Sequence, residues 1–161
     1  MVQLWTDGSH QQGSNIDNCK CGIGILIRRL APDLETSPRK FCEHKFSLGL
    51  NKVKDNNLAE LYAIEYGLYK LSQLNLHPKD KKLVIMTDSK VAINLIKGIS
   101  YTYNPEYIEV VKDIKWQLRK YDYNLYWKRG HSDCERQNLC DMLARKGRLQ
   151  GGRQGGKQGG R

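Results

Sequence analysis

Leu83-Val84-Ile85-Met86-Thr87-Asp88-Ser89 is the stretch on which the fold turns. Four apolar residues bounded by charge read as a short central strand, buried on both faces. It ends on a carboxylate. Downstream, a short helix is expected over about residues 90–97, stopped by Gly98. Asn104-Pro105 then starts another helix, with Asn as cap and Pro at the first helical position. Ile108, Val111, Ile114 and Leu118 form its expected inner stripe, followed by a strand over Asn124–Lys128 and a helix over about 136–147. Upstream, Leu61, Ile64, Leu68 and Leu71 recur at helical spacing and predict a helix over about 58–74. Before it come three strand-like runs, Val2–Thr6, Gly22–Arg29 and Phe41–Leu48, with a turn-rich loop over 31–38. The order β-β-β-α-β-α-α-β-α predicts an α/β fold: a mixed sheet, antiparallel hairpins first, flanked by helices.

Composition narrows the function. The chain has 161 residues, enough for one domain with a proper core. With 27 Lys plus Arg against 17 Asp plus Glu, the net charge is +10. A surplus of that size suggests a polyanionic partner, nucleic acid first; a merely solvated basic surface is the alternative. The five cysteines, Cys19, Cys21, Cys42, Cys134 and Cys140, are odd in number and point to a reducing, intracellular compartment. Cys19-Lys-Cys21 and Cys42-Glu-His44 lack the usual gap of zinc ligands, and a hairpin would keep them apart. No window holds the ~18 apolar residues of a membrane span, and Met1–Trp5 lacks the basic and long apolar regions of a signal peptide.

The C-terminus departs from this pattern. Gln150-Gly151-Gly152-Arg153 and its two near-copies, through Lys157 to Arg161, contain nothing to bury. The expected division is a catalytic domain over 1–149 and a disordered basic tail over 150–161. In that tail Arg153, Lys157 and Arg161 can touch phosphates without specificity, or merely solubilise the chain.

Four acidic residues carry the candidate chemistry. Asp7 ends the first strand in this reading and Asp88 the central one; parallel neighbours would bring both to one sheet edge. Glu60 is expected in the first turn of the long helix, and Asp141 in the last helix. Each has an ordinary explanation: Asp-Gly turns, Thr-Asp-Ser caps, a first-turn Glu on the helix dipole, and an Asp141–Arg145 pair. Together on alternating strands and helices they make another case. Clustered carboxylates repel, and hard divalent cations neutralise them; an oxygen-only set with open positions suits Mg²⁺ or Mn²⁺.

Thr6-Asp7-Gly8-Ser9, Asn56-Asn57-x-x-Glu60-Leu61, Thr87-Asp88-Ser89, Gly130-His131-Ser132 and Asp141-x-x-Ala144 occur in this order. The set, spread over about residues 2–147, resembles the type 1 ribonuclease H family. The resemblance implies a ribonuclease H-like fold with a five-stranded mixed sheet. It implies a monomeric endonuclease that hydrolyses the RNA strand of RNA–DNA hybrids with two Mg²⁺ ions, Mn²⁺ being the alternative, to leave 5′-phosphate and 3′-hydroxyl ends. In that scheme Asp7 bridges the metals, Glu60 and Asp88 hold one, Asp141 completes the other, and His131 is a catalytic helper.

For the hybrid, Asn56 and Asn57 offer amides to 2′-hydroxyls in the shallow minor groove. The backbone at Gly8 and Ser9 can approach a strand closely, and Lys90 and Gln137 complete the expected substrate contacts. Three positions differ from many members: Asp55 in place of Thr, Lys90 in place of Gln, and Gln137 in place of Asn. The span from Asp88 to His131 leaves no room for a basic protruding helix, which makes the chain similar to the shortened domains of retroviral and retrotransposon polymerases. A polymerase is therefore a possible partner. A catalytically silent module on the same fold would usually lack a ligand, and all four are present. An integrase-like nuclease is disfavoured by the Asn pair and the Gly130-His131 loop.

Overall fold

The computed structural model describes residues 1–30, 41–75, 81–130 and 133–154. The elements follow in the expected order: β1 (Val2–Gln11), a 3-10 turn (Ile16–Asn18), β2 (Lys20–Leu30), β3 (Phe41–Asn51), α1 (Asn56–Gln73), β4 (Lys82–Thr87), α2 (Lys90–Lys97), α3 (Pro105–Leu118), β5 (Asp122–Trp127) and α4 (Glu135–Gln154). The five strands lie in the order β3-β2-β1-β4-β5. The first three are antiparallel; β1–β4 and β4–β5 are parallel.

Alternation along the strands feeds two cores. Val2, Leu4, Ile23, Ile25 and Ile27 pack with the buried face of α1, while Trp5 and Leu26 pack with Cys140 of α4. α4 lies unusually close to the sheet. A Cβ at Gly22 or Gly24 would run into the α4 backbone at Ala144 or Cys140, and one at Gly147 into the β3 backbone at Leu48. Glycine inside a strand here marks a close backbone approach.

Helix ends follow local chemistry. Ser89 caps α2, and Gly98 ends it in the left-handed region at φ 74. Asn104 caps α3, whose first residue is Pro105. Residues 98–104 join the two helices directly, so no further helix stands between them.

Four boundaries or faces differ from the sequence reading. β1 does not stop at Thr6, because β2 pairs with it along its whole length, from Val2↔Arg29 to Gln11↔Lys20. Asp7 therefore lies within a strand, and Asp7-Gly8 is not a turn. α1 begins two residues early, because Asp55 is its cap: the side chain accepts from the Leu58 amide at 2.8 Å. Glu60 consequently lies beyond the first turn. Ile108 faces outward at 48% exposure; the inner face of α3 is Val110, Val111, Ile114 and Leu118. Finally, α4 runs on to Gln154 in its backbone, through the first Gln-Gly-Gly-Arg unit, since extending a formed helix needs no new nucleus. The turn-rich loop at 31–38 lies outside the described residues.

Candidate active site

Parallel pairing of β1 and β4 aligns Trp5 with Met86, and carrying that register two residues further brings Asp7 level with Asp88. The expected meeting of the two carboxylates thus follows from the sheet itself. α1 delivers the third. Gly8 lets α1 come close, since a Cβ there would sit 2.8 Å from the Glu60 amide nitrogen. This is a different use of Gly8 from the one expected. Its missing side chain is filled by α1, and its backbone amide hydrogen-bonds the Glu60 carboxyl.

Asp7, Glu60 and Asp88 each offer a carboxylate oxygen within 4.8 Å of the others. Asp7 and Glu60 are buried, at 4% and 3% exposure, and Asp88 is half-buried. Burial pushes the Asp7 carboxyl up to about 8, helped by the negative charges of Asp88 and Asp141 and opposed by a hydrogen bond from Glu60. Glu60 is held well above the usual carboxylate range, by burial first and then by Asp7 and Asp88. Asp88 is raised by burial, with hydrogen bonds from Glu60 and Asp7 opposing. Proton sharing among three acids is what crowding without a counter-ion produces.

The donor set fits a divalent cation. Glu60 Oε2 is buried without a hydrogen-bond partner, and the ion pairs found among the described residues leave the triad out. All three ligand groups are hard oxygen donors, the preference of Mg²⁺ and its relatives. Asp141 stands beside this triad, close enough to hydrogen-bond Asp7, and the Gly22–Gly24 contact with α4 is what brings it near. Its other partner is Arg145, one turn on, at 3.2 Å.

The remaining predicted residues scatter. Asn56 and Asn57 are exposed on the first turn of α1, and Ser9 is half-buried two residues past Asp7. Lys90 is exposed at the start of α2. Gln137 is buried at 1% exposure and donates to the Thr6 carbonyl at 3.3 Å, which ties α4 to β1 next to Asp7. His131, Lys157 and Arg161 lie outside the described residues, as does the side chain of Arg153. Two contacts escaped the sequence reading. Gly130 abuts Asp88, whose Oδ2 occupies the space a Cβ would need. Gly22 and Gly24 seat α4; two glycines one apart inside an apolar strand were the available signal.

On this mixed sheet, two parallel strands and a crossing helix gather three carboxylates into a cluster that could hold a metal ion. The chain belongs to the RNase H family, whose model matches residues 1–148. No curated protein sequence matches it. Among solved structures it is similar to RNase H1 of the halophilic archaeon Halobacterium salinarum, at 15% identity and TM-score 0.69, covering 91% of this chain and 96% of that one. LC9-RNase H1, described as a type 1 enzyme with a type 2 active-site motif, matches at 14% identity and TM-score 0.75, over 92% of this chain and 72% of that one. The PFV RNase H domain matches at 21% identity and TM-score 0.64, over 92% and 94%. The protein is thus a ribonuclease H, and family and fold imply cleavage of the RNA strand of hybrids. No helix among the described residues is long and apolar enough to cross a membrane.

Proposed function

We propose that this chain is an endonuclease that cuts the RNA strand of RNA–DNA hybrids with two Mg²⁺ ions, leaving 5′-phosphate and 3′-hydroxyl ends. The observation that carries the reading is the largely buried Asp7–Glu60–Asp88 cluster, in which Glu60 Oε2 has no hydrogen-bond partner among the described residues. When bound, the cations supply charge to orient the attacking water and stabilise the departing 3′ oxygen. Asp7 is central to the set, touching Glu60 on one side and Asp141 on the other, which suits a bridging ligand. Glu60 and Asp88 would hold one ion with it, and Asp141 would help to hold the other.

The chain's other residues bind and orient. Asn56 and Asn57 project from the helix that carries Glu60, so amides that read 2′-hydroxyls stand in fixed relation to the ligands. The backbone at Gly8 and the Ser9 hydroxyl border the cleaved strand, and Lys90 faces a phosphate of it. Gln137 supports the site from within. His131 moves protons or assists product release. Arg153, Lys157 and Arg161 add non-specific phosphate contacts. Five free cysteines favour an intracellular site of action. The direct α2–α3 connection and the likeness to the prototype foamy virus protease–reverse transcriptase, at 19% identity and TM-score 0.65 over 20% of that chain, favour a polymerase as partner.

End-labelled hybrid, RNA duplex and DNA duplex are incubated with protein and Mg²⁺, with and without chelator. Cleavage confined to the RNA of the hybrid, lost with chelator, and ends that accept ligation as 5′-phosphates support the reading. Cleavage of all three duplexes, or activity that survives chelation, overturns it.

A further inference from the structure

β5 ends beside Asp88, and its last residue has no role in the reading above. The Trp127 indole Nε1–H donates to the Asp88 backbone carbonyl at 3.0 Å. The residue is 44% exposed, and its ring lies under the Lys90 ammonium, whose Nζ is 4.2 Å from the ring centroid. One residue on, the Lys128 amide donates to the Thr87 carbonyl at 2.8 Å and extends the β4–β5 ladder to the residue before Asp88. Gly130 then abuts the Asp88 carboxylate.

Core packing does not account for this tryptophan. Its neighbour Leu125, on the same side of β5, is the one buried residue of the strand, while Trp127 keeps much of its ring in water. An exposed indole can satisfy its N–H with solvent. Here the N–H is spent on the peptide that carries a candidate metal ligand. The ring face is the best side-chain surface for holding a cation, and the cation it holds is two residues from that ligand. A long lysine side chain that is already stacked has less rotamer freedom to lose when it meets a phosphate.

We propose that Trp127 is a positioning residue for two groups at once: it fixes the peptide that carries the Asp88 carboxylate, and it presents the Lys90 ammonium to a backbone phosphate of the cleaved strand. The inference rests on the reading of Asp7, Glu60 and Asp88 as the metal-holding centre of a hybrid-cleaving enzyme.

Three variants of the full chain separate the two effects. Trp127→Phe keeps a ring and removes the N–H. Trp127→Leu removes both. Lys90→Gln removes the charge. Mg²⁺ binding is measured by calorimetry without nucleic acid, and KM, kcat and the salt dependence of hybrid affinity are measured alongside. Trp127→Phe weakens Mg²⁺ binding about 10-fold, the low end for groups that orient metal ligands, and leaves KM within about twofold of the parent. Lys90→Gln leaves Mg²⁺ binding alone, raises KM several-fold and reduces the slope of log K against log salt by about 0.7–0.9, one phosphate contact. Trp127→Leu shows both losses, and adding Lys90→Gln to it raises KM little further. Unchanged Mg²⁺ binding in Trp127→Phe overturns the inference, as do additive KM effects of Trp127→Leu and Lys90→Gln. Should the leucine variant not fold, the phenylalanine variant still decides the first half by Mg²⁺ affinity, and an unchanged KM in Lys90→Gln still overturns the second. Wild-type protein that fails to cleave hybrid would instead sink the underlying reading, whatever the variants do.

Discussion

Asp55 and Glu60 sit five residues apart at the start of α1 and meet opposite fates. The Asp55 carboxylate accepts the Leu58 amide, capping the helix, and also the Tyr107 hydroxyl from α3. Glu60 is pressed against Asp7 and Asp88 and keeps a buried oxygen with no hydrogen-bond partner among the described residues. One carboxylate has found its partners within the protein. The other belongs to a cluster whose oxygen donors fit a metal ion. The Asp that departs from the family's Thr therefore has a structural task here: its Oδ1 ties the start of α1 to α3. A neighbouring tie, from the Tyr62 hydroxyl to Glu106 at 2.9 Å, joins the same two helices.

The contrast breaks most visibly at Asp7. Asp7→Asn removes a ligand charge at nearly constant volume. Hybrid cleavage is expected to vanish in a gel assay, while the metal-free melting temperature holds or rises as repulsion is relieved. Near-wild-type cleavage in Mg²⁺ buffer freed of other metals would show that the cluster is not the metal site.

Titration without metal sharpens the comparison next. The folded-state Asp7 carboxyl is raised from 3.8 to about 8, so the native state binds more protons than the unfolded state across that interval. Its contribution to stability is fully present below about pH 4 and is lost as pH rises through about 8. In chelator, the wild-type melting temperature should therefore fall between these limits more steeply than that of Asp7→Asn, and saturating Mg²⁺ should restore it at pH 8 by binding the native state. Parallel pH profiles for the two proteins would contradict the assigned repulsion.

The completed carboxylate predicts a smaller and different loss. Asp55→Ala should cost about 1 kcal/mol in urea unfolding, the usual range for an N-cap, with Asp55→Ser recovering most of it and with hybrid cleavage retained when the protein is folded. Loss of cleavage at unchanged stability would place Asp55 in the site after all. The smallest effect is expected at Arg145. Its pair with Asp141 is 56% exposed on the arginine side, so Arg145→Ala should change stability by less than about 1 kcal/mol. A larger loss would mean that Asp141 depends on this arginine as Asp55 depends on Tyr107.

Much of this was legible beforehand, where local rules act alone. The cap and proline at Asn104-Pro105, the stop at Gly98 and the apolar β4 run ending on Asp88 lie where the sequence put them. The four-carboxylate reading came from motif order, and the sheet gathers three of them, with Asp141 alongside. Reading failed where two segments decide jointly. Asp7-Gly8 reads as a turn until β2 is laid along β1, and Glu60 reads as a first-turn residue until Asp55 starts the helix two residues earlier. Gln137 reads as a substrate contact; with α4 pressed onto β1, its amide is buried and donates to the Thr6 carbonyl. Trp127 gave little signal, because an aromatic in a half-exposed strand is ordinary and its hydrogen bond reaches 39 residues back.

The sequence by itself determined the order and type of the elements, the basic character of the chain and the identity of the acids. Those depend on side-chain period, backbone capping and charge, all of which act over a few residues. Tertiary structure alone decided which carboxylates crowd together and which find hydrogen-bond partners. That outcome depends on register between β1 and β4, on how closely Gly8 admits α1, and on how closely Gly22 and Gly24 admit α4. Distances of a few ångströms between remote segments set the electrostatics of a buried cluster, and no local pattern encodes them.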